Sequence, residues 1–194
     1  MGQEWAATTP FLFFTDHTPD LGKLVTAGRR REFADFSAFS DAHARQRIPD
    51  PQDPTTFLHS RLNWSECAHE PQASTLRLYQ RLLELRRTEP LLRAATWDGF
   101  DAAAMGEHGL VLLRTSAEAH AFLVAIYLHG AGTINLGTAS VWRAVPAQLR
   151  WETIFCTEEP PFAPDPLPPV VDVAGGAPVL HFTRPGAAIL RGKR

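Results

Sequence analysis

The sequence has few of the features that mark secreted, membrane-spanning or metal-binding proteins. Its two cysteines, Cys67 and Cys156, lie far apart and lack CxxC spacing, so two buried free thiols are predicted rather than a disulfide or a metal site. No stretch approaches the roughly 18 consecutive apolar residues that a membrane-spanning helix needs. No charged region followed by an apolar run opens the chain, so no signal peptide is expected. These absences predict a soluble cytoplasmic protein without a bound metal or cofactor.

Strong net charge is also lacking. The 194 residues include 17 arginines and 2 lysines against 21 acidic residues, which gives a formal charge of -2 at pH 7. A chain this close to neutral has no strong electrostatic field with which to attract nucleic acid or an anionic membrane surface. Neither is therefore expected as a partner.

The composition changes near residue 90, and the part before it is irregular. Pro10 and the threonines before it discourage a helix in residues 1–14, so an ordered loop or short extended piece is predicted there. A short helix is predicted over residues 19–26, ended by Gly28. Three phenylalanines then follow at the three-residue spacing of one helical face: Phe33, Phe36 and Phe39.

Two further segments of this first part have clear signals. Three prolines in residues 49–54 exclude a helix or a central strand and predict a rigid loop, followed by a short turn through Phe57. The clearest helix is predicted over residues 71–87, with proline at its first position, two arginines at its end and Pro90 beyond it. Its apolar stripe needs a partner surface; the residues of the stripe are Leu78, Tyr79, Leu82, Leu83 and Leu85.

After residue 90, short apolar runs alternate with glycine and proline. Strands are predicted at 109–114, 121–128, 151–155, 179–182 and 187–190, and the six prolines in 159–169 predict a loop. The run 121–128 is long enough for a helix, but its β-branched and aromatic residues favour a strand. Short strands with turn residues between them indicate a small antiparallel β-sandwich.

Four stretches of the sequence carry a family resemblance. MGQEW at 1–5 resembles the end of the eighth barrel strand in the α-amylase superfamily of glycoside hydrolases. Three others are more specific and resemble malto-oligosyltrehalose trehalohydrolases: PFLFFTDH at 10–17, GRRREF at 28–33, and DPQDPTTF at 50–57 running on to LNW at 62–64. Gln3 and Asn63 depart from the acidic residues that such sequences often have there.

The resemblance implies an α+β fragment of a larger enzyme. Residues 1–92 would form the end of a (β/α)8 catalytic barrel, with the loop after strand 8 and the last helix, and residues 93–194 a C-terminal antiparallel β-sandwich domain. Such a barrel needs about 250 residues, so the first 95 cannot close one. The N-terminal part of the enzyme is therefore expected to be missing from this chain.

The activity implied by the resemblance is hydrolysis of the α-1,4 bond next to the trehalose end of a maltooligosyl trehalose, with release of trehalose. Retaining α-glycosidases of this kind use a nucleophilic Asp and an acid/base Glu on opposite faces of the bond. In the superfamily those residues precede the segment that MGQEW resembles. No residue of this chain matches a catalytic position, so none is assigned and the chain alone is expected to be inactive.

The residues near the start of the chain are instead candidates for substrate binding. Glu4, Asp16 and Asp35 are carboxylates among aromatic residues, a mixture suited to sugars, but no spacing supports a free-standing acid/base pair. The loop after the eighth strand lies on the catalytic face of such a barrel. Six residues are therefore predicted to line substrate subsites: Glu4, Trp5, Phe13, Phe14, Asp16 and His17.

Other interpretations of these residues stay open. Phe11 and Phe13 could pack under the loop while Asp16 caps the following turn. A metal site is not predicted, because adjacent Asp16 and His17 would rarely converge on one ion and the remaining histidines show no ligand spacing. Arg29 to Arg31 beside Glu32 are interpreted as an ion-paired surface.

The alternative function is a stand-alone α-glucan-binding module. Its scaffold would be the β-sandwich, with Trp97, Trp142 or Trp151 as a stacking platform, although these tryptophans show no repeated motif. A related branching-type enzyme is a third possibility that differs only in substrate.

Overall fold

The fold comes from a computed structural model that describes residues 1–33, 36–37, 41, 43–44, 47–93, 99–116, 120–174 and 176–194. Asp35, Phe39 and Trp97 lie outside these residues. The chain forms two compact units, Met1–Gln72 and Ala73–Arg194. This division follows backbone contacts, whereas the domain boundary at residues 92 and 93 is a statement about family architecture and stays a prediction.

In unit 1, helix α1 spans Pro19–Glu32 and is longer than predicted. Gly28 does not end it, because a single glycine inside a helix costs only about 1 kcal/mol. Three arginines in the last turn complement the negative end of the helix dipole. The helix ends at Phe33, whose N–H donates to carbonyls of the last turn, and Phe36 lies in a bend. The Phe36 N–H donates to the Phe33 carbonyl at 3.2 Å, and the two ring centroids lie 5.4 Å apart. Because Phe39 lies outside the described residues, the helical face of three phenylalanines stays a prediction.

The proline-rich stretch forms the predicted loop up to Asp53, but the turn after it is a helix. Helix α2 spans Pro54–His59, with Pro54 at its first position and the side chain of Asp53 accepting a hydrogen bond from the Thr55 N–H. Both are standard signals for a helix start. Two short 3-10 helices, Gln3–Trp5 and Trp64–Ala68, also belong to unit 1.

Asp50 connects the loop to both helices. Its carboxylate accepts hydrogen bonds from the Thr26 hydroxyl of α1 at 2.7 Å and from the Gln52 N–H at 3.0 Å. Its backbone carbonyl accepts from the Thr56 hydroxyl of α2 at 2.7 Å. A single residue therefore fixes the loop between the two helices.

Unit 2 contains two antiparallel sheets. The described strands are β1 (Asp101–Met105), β2 (Gly109–Thr115), β3 (Ala121–Tyr127), β4 (Gly132–Asn135), β5 (Arg150–Cys156), β6 (Val170–Ala174), β7 (Ala177–Phe182) and β8 (Gly186–Lys193). One sheet has the order β1-β2-β3-β8-β5 and the other the order β4-β7-β6. The predicted antiparallel β-sandwich is confirmed.

The main core of unit 2 lies between the inner faces of the two sheets. Val111, Leu123 and Leu190 of the larger sheet are fully buried together with Ile134 and Leu180 of the smaller one. The alternation of buried and less buried residues along β2 and β7 is the two-residue period expected for strands with one core face. The five predicted strands are all present, as β2, β3, β5, β7 and β8.

Two α-helices are described in unit 2, and both pack on the outer face of the larger sheet. Helix α3 spans Gln72–Thr88 and helix α4 spans Pro90–Arg93. Leu85 of α3 is 3% exposed, in a cluster with Phe122, Phe155 and Ile189. The helix is confirmed, but the sheet covers only part of its predicted apolar stripe, since Leu83 remains 60% exposed.

The two cysteines are free thiols in different surroundings. Cys156 is buried in β5, and desolvation raises its pKa to about 11. Cys67 is half-buried, so the prediction of two buried thiols holds for Cys156 alone. None of the helices in the described part of the chain is long and apolar enough to cross a membrane.

The attachment of α3 to the sheet can be tested with two leucines of the same helix. Leu85→Ala should lower the free energy of unfolding by about 2–5 kcal/mol, because it leaves a cavity in the cluster between helix and sheet. Leu83→Ala is the matched control, since the exposed Leu83 has little contact to lose. Urea denaturation followed by circular dichroism measures both variants, and equal destabilisation would contradict the packing described here.

The Asp50 junction should make unit 1 sensitive to acid. The hydrogen bond from Thr26, followed by that from the Gln52 N–H, lowers the pKa of Asp50 from its ordinary value of 3.8. A carboxylate whose pKa is lowered by folding adds to the free energy of unfolding. This contribution is present above pH 3.8 and is lost as the pH falls through the folded-state pKa.

The difference in free energy of unfolding between the wild type and Asp50→Asn should therefore be largest near neutral pH and shrink below about pH 4. Chemical denaturation at several pH values measures it, with Asp101→Asn as a control for loss of one exposed carboxylate. A difference that grows on acidification would show that the folded-state pKa of Asp50 is not depressed.

Candidate functional site

The side chain of Gln52 holds the segment of residues 15–17, which follows Phe13 and Phe14. Its Oε1 accepts hydrogen bonds from the Thr15 hydroxyl at 2.6 Å and from the His17 N–H at 3.1 Å. Its Nε2 donates to the His17 carbonyl at 3.0 Å. The Thr15 N–H also donates to the Pro51 carbonyl at 2.8 Å. An amide can satisfy both an N–H and a C=O of one residue, so the loop backbone is fixed without regular secondary structure.

Helix α1 supports the same glutamine through a glycine. Gly22 is buried, and a Cβ at this position would collide with the Gln52 amide. The side chain of Gln52 therefore lies against the helix backbone. A helical glycine is unfavourable by about 1 kcal/mol relative to alanine, and here the close approach of Gln52 explains it.

An open cleft of ≈ 460 Å³ lies beside this hydrogen-bonded loop. Its walls combine aromatic rings, prolines and polar groups. Phe14 and Phe57 contact each other edge to face in its wall, with ring centroids 5.2 Å apart. The residues around it are Phe14, Thr15, Asp16, Pro51, Gln52, Asp53, Pro54 and Phe57.

The two acidic residues of the cleft are both available as acceptors. Asp53 is engaged through one oxygen, Oδ1, which accepts from the Thr55 N–H and hydroxyl, both at 2.8 Å. The hydrogen bonds from Thr55 lower the pKa of Asp53, so this carboxylate is ionised at neutral pH. Asp16 is exposed, and its side chain makes no hydrogen bond to the residues that the structure describes. Because α1 begins after Thr18, Asp16 is not the helix cap.

Phe13 belongs to a different surface of unit 1. The Arg29 guanidinium lies over the Phe13 ring at 4.9 Å and over the Phe33 ring at 4.4 Å, and it forms an ion pair with Glu32 at 3.4 Å. The ion-paired interpretation of Arg29 is thus confirmed. Phe13 remains 41% exposed and Phe11 63% exposed, so the alternative in which both pack under the loop is wrong.

Trp5 and Glu4 lie in the first 3-10 helix. The Trp5 ring is 5% exposed and lies 4.9 Å from the exposed Trp64 ring, centroid to centroid. Its indole Nε1 is buried and has no acceptor at hydrogen-bond geometry among the residues that the structure describes. Two hydrogen bonds from Thr8 lower the pKa of the neighbouring Glu66, and the Trp5 indole adds the smallest contribution. Glu4 points into solvent.

The structure brings together two of the six predicted substrate-binding residues, Phe14 and Asp16, in the cleft. The backbone of His17 is tied to Gln52 while its side chain is exposed. Trp5, Phe13 and Glu4 lie elsewhere in unit 1. Substrate contact by any of the six stays a prediction. In the described part of the chain, no three His, Cys, Asp or Glu residues could share a metal ion.

The two described tryptophans of the alternative glucan-binding interpretation are packed against protein. Trp142 and Trp151 are half-buried, contact the sandwich core and lie 5.7 Å apart, centroid to centroid. Much of each ring face is therefore used in packing. This arrangement does not favour a stacking platform on the β-sandwich.

Three functional candidates were missed at the level of sequence: Gln52, Asp53 and Phe57. All lie in the DPQDPTTF stretch, which was interpreted only as a rigid loop and turn. The pair Asp53-Pro54 could have indicated a helix start. Nothing in the sequence shows that Gln52 reaches back to residue 17.

The role of Gln52 can be tested by removing its hydrogen bonds in steps. Gln52→Ala should speed amide hydrogen exchange at His17 and lower unfolding stability, since each of its three side-chain hydrogen bonds contributes about 0.5–1.5 kcal/mol. Thr15→Val is the matched variant, because it removes the hydroxyl bond to Gln52 and leaves both bonds between Gln52 and His17. Exchange at His17 should rank wild type, Thr15→Val, Gln52→Ala from slow to fast, and unchanged exchange in Gln52→Ala would refute this role.

Comparison with known proteins gives relatives of one kind. No family model matches the chain. The malto-oligosyltrehalose trehalohydrolase of Deinococcus radiodurans is 54% identical over 91 residues, which are 47% of this chain and 14% of that protein. The malto-oligosyltrehalose trehalohydrolase of Arthrobacter ramosus is 32% identical over 193 residues, 98% of this chain and 27% of that protein. The chain thus spans only a minor part of the length of these relatives.

Solved structures agree with this relationship. A Salmonella typhimurium protein assigned as an alpha amylase matches the whole chain with a TM-score of 0.65 and 26% identity, over 27% of its own length. An alpha-amylase from H.orenii matches 73% of the chain with a TM-score of 0.50 and 12% identity, which is evidence of fold alone. With curated relatives that share one name and a match along nearly the full chain, this chain belongs to the malto-oligosyltrehalose trehalohydrolase family of the α-amylase superfamily.

Proposed function

We propose that this chain is part of a glycoside hydrolase that releases trehalose from maltooligosyl trehalose by retaining hydrolysis of an α-1,4 bond. The observation that carries the proposal is the 54% identity over 91 residues to the malto-oligosyltrehalose trehalohydrolase of Deinococcus radiodurans. The protein would act in the cytoplasm, in trehalose biosynthesis, without a cofactor.

The chain spans only a small part of the proposed enzyme, so the remaining part would supply the other elements of the active site. A relative matched over 98% of this chain is covered to only 27% of its own length. Residues 1–92 would supply the loop after the eighth strand and the last helix of a (β/α)8 barrel, and residues 93–194 the C-terminal β-domain. A retaining site needs a nucleophile and an acid/base about 5–5.5 Å apart. Both carboxylates would come from the rest of the enzyme, because no residue of this chain matches a catalytic position of the superfamily.

A chimera with a relative tests this proposal. The 193-residue region of the Arthrobacter ramosus protein that aligns with this chain would be replaced by the chain itself. The chimera should release trehalose from maltooligosyl trehalose, whereas this chain alone and the relative with the region deleted should release none. Trehalose is measured by chromatography.

Two outcomes would count against the proposal. One is a folded chimera that cleaves plain malto-oligosaccharides and leaves maltooligosyl trehalose intact, which would assign the region to another α-glucan hydrolase. The other is trehalose release by the purified 194-residue chain, which would show that the catalytic groups lie within it.

A further inference from the structure

We infer that the cleft between residues 14–16 and 51–57 binds a glucosyl unit of an α-glucan, with Asp16 and Asp53 accepting hydrogen bonds from its hydroxyl groups. This inference rests on the proposed function for the choice of an α-glucan. It adds a second wall, contributed by the 51–57 segment, to the predicted site on the 14–17 segment.

The apolar part of the cleft suits the faces of a sugar ring. Phe57 is 47% exposed although it meets Phe14 edge to face, so part of its ring remains open to a ligand. Pro51 and Pro54 extend this apolar surface. Sugars present C–H groups on the faces of the ring and hydroxyl groups around its edge, so a ligand that packs on these side chains directs its hydroxyls toward the polar wall.

The polar part of the cleft suits a neutral donor of hydrogen bonds. Asp53 has Oδ2 free of the bonds to Thr55, and Asp16 has no side-chain partner among the residues that the structure describes. No lysine or arginine is among the described residues that line the cleft. The negative charge of the two carboxylates therefore disfavours an anionic ligand, and both accept hydrogen bonds from hydroxyl groups, which carry no charge.

The cleft is also held in shape before a ligand arrives. Gln52 fixes the Asp16 side of the cleft through Thr15 and His17. Thr55 fixes the orientation of the Asp53 carboxylate from the other side. Walls that are already ordered lose little conformational entropy on binding. The volume of ≈ 460 Å³ lies within the range of about 300–1,000 Å³ that is usual for small-ligand sites.

The test is a titration of the 194-residue chain with maltotriose, followed by NMR of the backbone amides. Shifts should concentrate at residues 15–17 and 52–57. Asp53→Asn should weaken binding at least about tenfold, since it exchanges a charged acceptor for an amide and retains an oxygen that can cap α2. Phe57→Ala should also weaken binding. Asp20→Asn and Phe36→Ala, at exposed positions outside the cleft, are the matched controls.

Three results would overturn the inference. The first is the absence of amide shifts in the cleft up to the solubility limit of the sugar. The second is shifts that centre on Trp142 and Trp151 and persist in Asp53→Asn, which would place the sugar on the β-sandwich. The third is equal binding of cellotriose, which would remove the preference for α-linked glucose.

The titration and the chimera fail independently. A chimera that releases trehalose, together with a cleft that binds no sugar, would leave the proposed function standing and refute the cleft. A cleft that binds maltotriose in an inactive chimera would refute the proposed function and leave an α-glucan-binding site.

Discussion

Side-chain amide and carboxylate groups fix the loop of residues 14–17 in unit 1. The Gln52 amide satisfies both backbone groups of His17, and the Asp50 carboxylate joins the same loop to α1. Without these contacts the segment from Phe14 to His17 would have few backbone partners and a large conformational entropy to lose. The packing of Gly22 against Gln52 shows that α1 is shaped to admit this side chain.

This way of holding a loop explains how a rigid surface can coexist with exposed aromatic rings. Hydrogen bonds that run from side chains to backbone fix the chain without covering its rings, so Phe57 and Phe13 remain open to solvent. If hydrophobic burial anchored this loop instead, the same rings would be buried and inaccessible to a ligand. An ordered backbone with accessible aromatic faces is the arrangement that the proposed sugar site would use.

The sequence predicts the parts of the fold that have a strong local signal. Helix α3 and the strands β2, β3, β5, β7 and β8 are confirmed, and along β2 and β7 the buried residues recur at the two-residue period of a strand. The strands that were missed, β1, β4 and β6, all lie at sheet edges, where strands are short and need fewer apolar residues. Of the residues that line the cleft, the sequence analysis predicted only Phe14 and Asp16 as substrate-binding residues. Its other wall depends on contacts across 35 or more residues, which local patterns do not encode.

The position of β8 in the larger sheet affects the order in which unit 2 can fold. β8 lies between β3 and β5, yet a ribosome makes it after every other strand. Until then β5 has no neighbour in that sheet, and β3 has an open edge that could pair with another chain. The nascent protein therefore carries unpaired strands until β8 emerges, and incomplete sheets of this kind are prone to aggregate. Closure of the larger sheet thus waits for the last of its five strands.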